Sequence, residues 1–265
     1  MPEIAAVILA AGEGKRLRRR QNEKQKVLVE IARKPMLGHV LDVVSAVGIK
    51  RSVVVVGYQS EHVEKYLKMW RRRLEIQTVK QEKLSGTADA VKQTEKIFAH
   101  YKGDVLVLYG DTPLLSEKTL RKLLERHGSQ KNECTLLTTR LADPTSYGRI
   151  VYAGAGRSVA KIVEELDATP AEKEITEINV GVYCFKSESL FAALKEVRPN
   201  NRKGEYYLTD TIAILSKKGK TIRSVLSEDR DEVVGVNSQV DLDKARHAFE
   251  RLKTGRPTLR SGTDG

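Results

Sequence analysis

The sequence predicts an α/β fold: a mixed, mainly parallel sheet with helices on both faces. Three observations predict it. Short runs such as Ile4 to Leu9, Arg51 to Val56 and Val105 to Tyr109 are almost wholly apolar, the pattern of strands buried on both faces. Segments with helical spacing separate them, as βαβ units require. The first run ends in a glycine-rich turn, Leu9-Ala-Ala-Gly-Glu-Gly, where a doubly covered sheet places its ligands.

Each element has its own reason. Ile4 to Leu9 is aliphatic with no polar alternation, hence a buried strand. Lys34-Pro35 opens a helix in which Met36, Val40, Leu41, Val44 and Val47 recur at helical spacing until Gly48 stops it. Arg51 to Val56 is a second strand, Glu61 to Trp70 a helix and Glu75 to Val79 a third strand. Thr87 to His100 reads as a helix, and Val105 to Tyr109 as a strand stopped by Gly110-Asp111. Glu117 to Arg126 is a helix and Cys134 to Thr139 a strand. After Pro144 the rhythm changes: Arg149 to Tyr152, Ala160 to Glu164 and Ile178 to Phe185 read as strands. Ser187 to Lys195 and Tyr207 to Lys217 read as helices, Val233 to Val236 as a last short strand and Val240 to Leu252 as a last helix. Crossovers between parallel strands are right-handed and ligands sit beyond the carboxyl ends, which points to the loops after Leu9, Val79 and Tyr109.

Composition narrows the function. The 265 residues carry 47 Lys and Arg against 35 Asp and Glu, a net charge of +12. That balance implies an anionic partner: nucleic acid, an acidic membrane or a phosphorylated small molecule. The longest early apolar run, Ala5 to Ala11, falls far short of the ~18 residues of a membrane span, and no basic segment precedes it as in a signal peptide. Cys134 and Cys184 sit inside apolar runs and read as two buried free thiols, in keeping with a reducing, cytoplasmic setting.

Two segments carry chemistry. Leu9 to Arg16 offers backbone N–H groups beside glycines and the planar charge of Arg16, a place for phosphate; a plain strand-to-helix turn with solvated cations is the other reading. It has neither a dinucleotide nor a Walker fingerprint. Lys15 to Lys26 holds seven basic residues with no aromatic interleaved for base stacking, so the loop reads as solvated rather than as a nucleic-acid surface. Asp111 at a strand's carboxyl end either holds Mg²⁺ or caps the following segment. No two histidines have metal-ligand spacing, and all five read as structural or surface.

Together these segments resemble the sugar-nucleotidyltransferase superfamily, and within it the uridyltransferase half of the bacterial bifunctional enzymes that make UDP-N-acetylglucosamine. The resemblance runs from about Ala5 to about Asp243. Its landmarks are Leu9-Ala-Ala-Gly-x-Gly-x-Arg16, Lys26-Val-Leu, Lys34-Pro-Met, Gln81-Glu-x-x-x-Gly86-Thr87 and Leu108-Tyr-Gly-Asp111-x-Pro-Leu. Asp143-Pro-Thr-x-Tyr-Gly148, Ile162-Val-Glu164, Asp167-Ala-Thr, Glu177-Ile-Asn179-x-Gly, Gly204-Glu-Tyr-Tyr-Leu-Thr-Asp210 and Gly235-Val-Asn237 follow in order.

The resemblance implies a Rossmann-like nucleotidyltransferase domain over 1–253. Residues 1–143 would bind nucleotide, 144–239 would bind sugar, and 240–253 would form the terminal helix, with 254–265 a disordered tail. It implies that Leu9, Ala10, Ala11, Gly12, Gln81, Gly86 and Thr87 hold uridine, with Tyr109 and Gly110 beside them. Gln81 offers both an acceptor and donors to a uracil edge. Gly148, Glu164 and Asn179 would hold the aminosugar, and Asp111 and Asn237 would bind Mg²⁺. Arg16 and Lys26, with Asp111, would serve catalysis by neutralising the triphosphate and the departing pyrophosphate.

The implied reaction joins UTP and N-acetylglucosamine 1-phosphate into UDP-N-acetylglucosamine, a cell-wall precursor, and pyrophosphate. The rivals are another sugar 1-phosphate or nucleotide, or a non-catalytic sugar-nucleotide or nucleic-acid binder. The sequence departs from the family pattern at Lys15, usually Thr, at Gln25, usually Pro, and in a longer, Arg-richer stretch from Arg16 to Lys26, where Arg18 to Arg20 can substitute for Lys26. The family's hexapeptide acetyltransferase half, which carries its trimer contacts, has no counterpart here. No acetyltransferase activity is therefore expected, and the oligomeric state stays open.

Overall fold

Among the described residues nine strands form one sheet, and an interior member, β1 (Ile4–Ala10), shows how the sequence builds it. Ala5, Val7 and Leu9 enter one apolar cluster, while Ala6, Ile8 and Ala10 enter another on the opposite face. A strand covered on both faces cannot alternate polar with apolar, which is why the run is uniformly aliphatic. The computed structural model describes residues 3–18, 25–70, 73–154, 158–233 and 235–254. Of the tail expected over 254–265, Thr254 is instead the last residue of a helix, and 255–265 lie outside the described residues, as do the Arg-rich loop residues 19–24.

β1 pairs in parallel with β4 (Arg51–Val56) on one side and β6 (Asp104–Tyr109) on the other, and β4 pairs in parallel with β5 (Glu75–Lys80). Beyond β6 runs the antiparallel β10 (Glu177–Lys186), then β7 (Cys134–Arg140) and, parallel to β7, β11 (Ile222–Leu226) at the edge. β8 (Arg149–Ala153) and β9 (Ser158–Val163) form a hairpin that branches off β10. A two-residue-per-strand hairpin of β2 (Glu30–Ile31) and β3 (Lys34–Pro35) precedes the first long helix.

Helices cover both faces, as the pattern predicts. α2 (Met36–Ala46), α3 (Ser60–Leu67) and α5 (Glu117–Gln130) bury Leu37, Leu41, Val63, Leu67, Leu120 and Leu123 on one side. α4 (Thr87–Lys92), α7 (Ser187–Leu194) and α8 (Asp210–Lys217) bury Val91, Phe191 and Ile212 on the other. The short α1 (Lys15–Arg18) and α6 (Pro170–Lys173) escape the sequence reading. α9 (Gln239–Thr254) packs Leu242, Ala245 and Ala248 on Leu17, Val29, Ile31 and Met36 in a third cluster. It therefore covers the segment that leads out of the glycine-rich turn.

Three expectations need correction. The helix expected to reach His100 stops at Lys92 and continues as turns. The Thr94 hydroxyl bonds the Val91 carbonyl at 2.7 Å, and the backbone bonds Thr94 to Val91, Glu95 to Lys92 and Ile97 to Thr94 span three residues rather than four. The last strand is β11, not Val233 to Val236: Asp231–Val233 is a single 3-10 turn, and residue 234 lies outside the described residues. β11 hides because it buries only Ile222 and Val225 among polar neighbours at a sheet edge. The helix expected from Tyr207 begins at Asp210, after a turn from 207 to 209.

Candidate functional site

The loops after β1, β5 and β6 open into one cleft of about 450 Å³, at the end of the sheet where parallel strands leave their ligand sites. Leu9, Ala10, Ala11, Gly12, Lys26, Gln81, Gly86, Thr87, Tyr109, Asp111, Gly148, Glu164, Asn179 and Asn237 all line it. Gly110 does not. Its N–H donates to Leu9 O at 2.9 Å, and a methyl placed there would lie 3.1 Å from Val27, so it closes the turn from behind. Arg16 lies in α1, at the mouth of the same turn, and its side chain lies outside what the structure describes.

The glycine-rich turn is held by a residue that departs from the family pattern. Buried Gln25 donates from Nε2 to Ala10 O at 3.1 Å and Gly12 O at 3.3 Å, and its Oε1 accepts from Val27 N at 2.7 Å. One side chain thus fixes the turn and caps the 3-10 turn Lys26–Leu28. That turn delivers Lys26 to the cleft, and the Lys26 ammonium bonds the Asp111 carboxylate and donates to Asn237 Oδ1 at 2.7 Å. Asn237 is presented by the start of α9. Asp241 Oδ2 accepts from the N–H groups of Asn237 at 3.0 Å and Ser238 at 2.8 Å, while Ser238 Oγ accepts from Asp241 N at 3.2 Å. Val236 N donates to Asp111 O at 3.0 Å and joins the two ligand-bearing segments.

Gly86 is required by its surroundings. Its φ is +121°, and a methyl there would stand 2.4 Å from Tyr206 O. The 85–88 segment is laced to 206–208: Tyr206 N to Ser85 O at 2.8 Å, Ala88 N to Tyr206 O at 2.8 Å, and Leu208 N to Thr87 Oγ1 at 2.9 Å. Gln81 Nε2 donates to Gly86 O at 3.0 Å and to Asp89 at 2.8 Å. Its donors are therefore engaged within the protein, and the carbonyl oxygen is the end left for a ligand.

Across the cleft, Gly148, Glu164 and Asn179 meet. A methyl at Gly148 would lie 3.4 Å from Glu164 Oε1 and 3.6 Å from Asn179 Cβ. Buried Arg149 holds this corner by its bond to Glu165 at 2.6 Å and by a second bond to Tyr147 O. Asn179 Nδ2 donates to Tyr183 OH at 2.7 Å, and its Oδ1 accepts from Gly181 N at 3.2 Å, where a register shift interrupts the pairing of β10 with β7. Glu164 accepts from Thr209 Oγ1 at 3.0 Å, and burial pushes its carboxyl up. Asp210 is pushed up to about 6 by burial and by the neighbouring Glu164 and Asp167. Burial, with Glu164 adding, pushes the Tyr109 hydroxyl up as well, so Tyr109 stays neutral.

Sequence reasoning passed over Tyr147, Gly181 and Glu205, which also line the cleft. All three stand inside the quoted landmarks, so the signal was present without a role attached. Gly181 is explained by Tyr109, whose ring would lie 2.7 Å from any methyl at that position.

Comparison with known proteins agrees with this geometry. Residues 5–233 match the family model described as nucleotidyl transferase. The chain belongs to that family. It is 45% identical over 242 residues to the bifunctional protein GlmU of Acetivibrio thermocellus, covering 91% of this chain and 50% of that protein. It is 43% identical over 246 residues to GlmU of Halalkalibacterium halodurans, covering 93% and 52%. The chain thus spans about half the length of the curated relatives it matches. Among solved structures, a Bacillus anthracis protein assigned as a glucose-1-phosphate thymidylyltransferase, in complex with sucrose, superposes with a TM-score of 0.78 at 22% identity, covering 99% of this chain and 97% of that one. A UDP-glucose pyrophosphorylase complexed with UDP-glucose gives 0.78 at 17% identity, covering 97% and 100%. Both show the same fold. Among the described residues no helix is long and apolar enough to cross a membrane.

Proposed function

We propose that this nucleotidyl transferase moves a uridylyl group from UTP to N-acetylglucosamine 1-phosphate, releasing pyrophosphate. The observation that carries the reading is the convergence of three landmark groups on one cleft: the Gln81–Thr87 loop, the Asp111–Asn237 oxygen pair and the Gly148–Glu164–Asn179 corner. Similarity to the N-terminal half of GlmU proteins supports it.

In this reading the nucleotide lies along residues 1–143 and the sugar against 144–239, with α9 bracing Asn237. Gln81 Oε1 accepts from the uracil imide. Tyr109, kept neutral, offers a hydroxyl and a ring face, and Glu164 and Asn179 face the sugar. A phosphate oxygen of the sugar phosphate forms a bond to the α-phosphorus of UTP as the bond to the bridging oxygen breaks and pyrophosphate leaves. The attacking oxygen is ionised near pH 7, so the chain needs no general base, and positioning with charge neutralisation does most of the work.

Asp111 and Asn237 suit Mg²⁺: both offer oxygen, and both already converge on a single cation, the Lys26 ammonium. Bound there, Mg²⁺ would neutralise phosphate charge. Lys26, whose ammonium bonds both oxygens here, would then serve with Arg16 as a cation for the phosphates.

Incubation with UTP, N-acetylglucosamine 1-phosphate and Mg²⁺ should release pyrophosphate. A panel of other nucleoside triphosphates and sugar 1-phosphates should run more slowly. No pyrophosphate, or a faster reaction with another pair, overturns the assignment.

A further inference from the structure

The opposite end of the sheet holds a second cluster, which the proposed reaction does not use. Asp104 begins β6, and Asp111 lies just beyond its other end, so the two are separated by the strand's length, roughly 20 Å. His127 on α5 and Cys184 on β10 meet Asp104 beneath the helix. All three are buried, with 6%, 3% and 0% of their surfaces exposed. One ligand atom from each lies within 4.8 Å of the other two, and His127 Nε2 stands 3.6 Å from Asp104 Oδ2.

The imidazole is arranged as a ligand. Its Nδ1 lies 3.0 Å from Thr135 Oγ1, an oxygen that also accepts from Asn132 Nδ2 at 3.0 Å. Its Nε2 is buried, faces the carboxylate and has no hydrogen-bond partner. A metal-binding histidine is typically anchored this way, one ring nitrogen on a protein oxygen and the other aimed at the ion. A buried nitrogen without a partner otherwise carries an unreturned desolvation cost.

Access exists. A cleft of about 700 Å³ opens onto Asp104 and His127. Tyr101 and Asn132 line the same cleft, and each contributes a further buried oxygen without a partner. Three of the five lysines that line it are already paired with carboxylates: Lys186 and Lys220 with Glu133 at 3.5 and 3.7 Å, and Lys218 with Glu196.

We infer that Asp104, His127 and Cys184 form a binding site for a zinc-class divalent metal ion, with the cleft as entry path and fourth coordination position. Imidazole and thiolate select zinc or cobalt over magnesium, whereas the Asp111–Asn237 pair, all oxygen, has the opposite preference. A tetrahedral site needs its ligand atoms about 3.3–3.8 Å apart, so the three draw together by about 1.5 Å at most. As the sulfur–metal bond forms, the Cys184 thiol loses its proton to solvent, and the dication balances one thiolate and one carboxylate. Without metal, burial keeps the thiol protonated. The ion ties α5 to β6 and β10.

The test is cobalt titration of the chelator-treated full chain. One equivalent should bring up a near-ultraviolet thiolate-to-cobalt charge-transfer band, and Zn²⁺ should erase it. The band should vanish in Cys184→Ser and persist in Cys134→Ser and Asp111→Asn. Micromolar Zn²⁺ should raise the melting temperature of the native chain and leave that of Cys184→Ser unmoved. If Cys184→Ser fails to fold, Asp104→Asn serves with the same two readouts, its band lost or needing a large excess of cobalt. Absence of a thiolate band at one equivalent, its survival in Cys184→Ser, or its loss in Cys134→Ser overturns the inference.

Discussion

The two walls of the candidate cleft are built differently. The wall formed by the loops after β1 and β6 carries the cation Lys26, buried against Asp111 and Asn237 and served by Gln25 from beneath. The opposite wall, where β8, β9 and β10 meet the start of α8, presents the carboxylates Glu164 and Glu205, and behind it burial, with Glu164 and Asp167, pushes Asp210 up to about 6. In the proposed reading, one wall serves the phosphates, and the other, which collects acceptors, faces the hydroxyl groups of the sugar. A substrate with a polyanionic end and a neutral polyol end would thereby take one orientation. The lesson is that orientation in this cleft is set by opposed electrostatics before any single contact is counted.

The largest effect expected from breaking this contrast is on the cationic wall. Asp111→Asn keeps shape and hydrogen bonding but removes the charge that gathers Lys26 and would hold Mg²⁺. Pyrophosphate release should slow by the equivalent of about 2–4 kcal/mol of barrier, the usual loss on removing one electrostatic stabiliser. The melting temperature should also fall by several degrees, because the buried Lys26 ammonium loses its counter-charge, although the Val236 N bond to the Asp111 backbone oxygen stays. A rate within threefold of native would mean that the carboxylate is not part of the charge-balancing machinery.

Lys26→Met sharpens the same wall from the other side. The ammonium occupies the position where Asp111 and Asn237 oxygens converge, so metal and lysine compete for it. Removing the lysine should tighten Mn²⁺ binding, read by electron paramagnetic resonance without substrate, on the order of tenfold, or about 1.4 kcal/mol. Turnover should fall at the same time, since the cation for the phosphates is gone. Weaker Mn²⁺ binding would show that Lys26 organises the oxygens rather than competing for them.

The carboxylate wall predicts a pH effect of the opposite kind. Asp210 has its pKa raised in the folded chain to about 6 from an ordinary 3.8, through burial and then Glu164 and Asp167. A raised carboxyl pKa means the fold binds the proton more tightly than the unfolded chain does. Its stabilising contribution is therefore full below about pH 4 and lost as pH rises through about 6. Asp210→Asn should gain about 1 kcal/mol over the native chain at pH 8, after allowance for solvent screening, and nothing at pH 4. Denaturant melts at the two values measure it. Equal differences at both would place the repulsion elsewhere.

How much of this was legible beforehand depends on how local the signal is. β1, β4 and β6 could be read because burial on both faces leaves an uninterrupted aliphatic run, and the loops at their carboxyl ends then located the cleft. β11 could not, because an edge strand with two buried apolar residues looks like any amphipathic stretch. The individual site residues came from ordered landmarks, and landmarks show presence without saying what each side chain does. Gln81 was read as offering both donors and acceptor, while the fold turns its donors onto Gly86 and Asp89. The Asp104–His127–Cys184 cluster left no trace in spacing, since a helix and two strands far apart in sequence bring it together.

Gln25 gives the most discriminating test. The family pattern has proline here, and Gln25 already sits at φ −60°, the value a proline ring imposes. Gln25→Pro should therefore fit the backbone and restrict the unfolded chain, a gain of about 0.4–1 kcal/mol. It also deletes two bonds from Nε2 to the glycine-rich turn and the Oε1 cap on Val27, each worth about 1 kcal/mol net. The lost bonds outweigh the gain by about 2 kcal/mol, so the melting temperature should fall by several degrees. Gln25→Ala removes the same bonds without the compensating restriction and should fall further. The KM for the nucleoside triphosphate should rise in both, because the turn facing the phosphates loses its anchor in each. If Gln25→Pro instead matches the native KM, the turn is set by its own backbone and Gln25 serves stability alone; if Gln25→Ala matches the native chain in both measurements, the anchoring role is wrong.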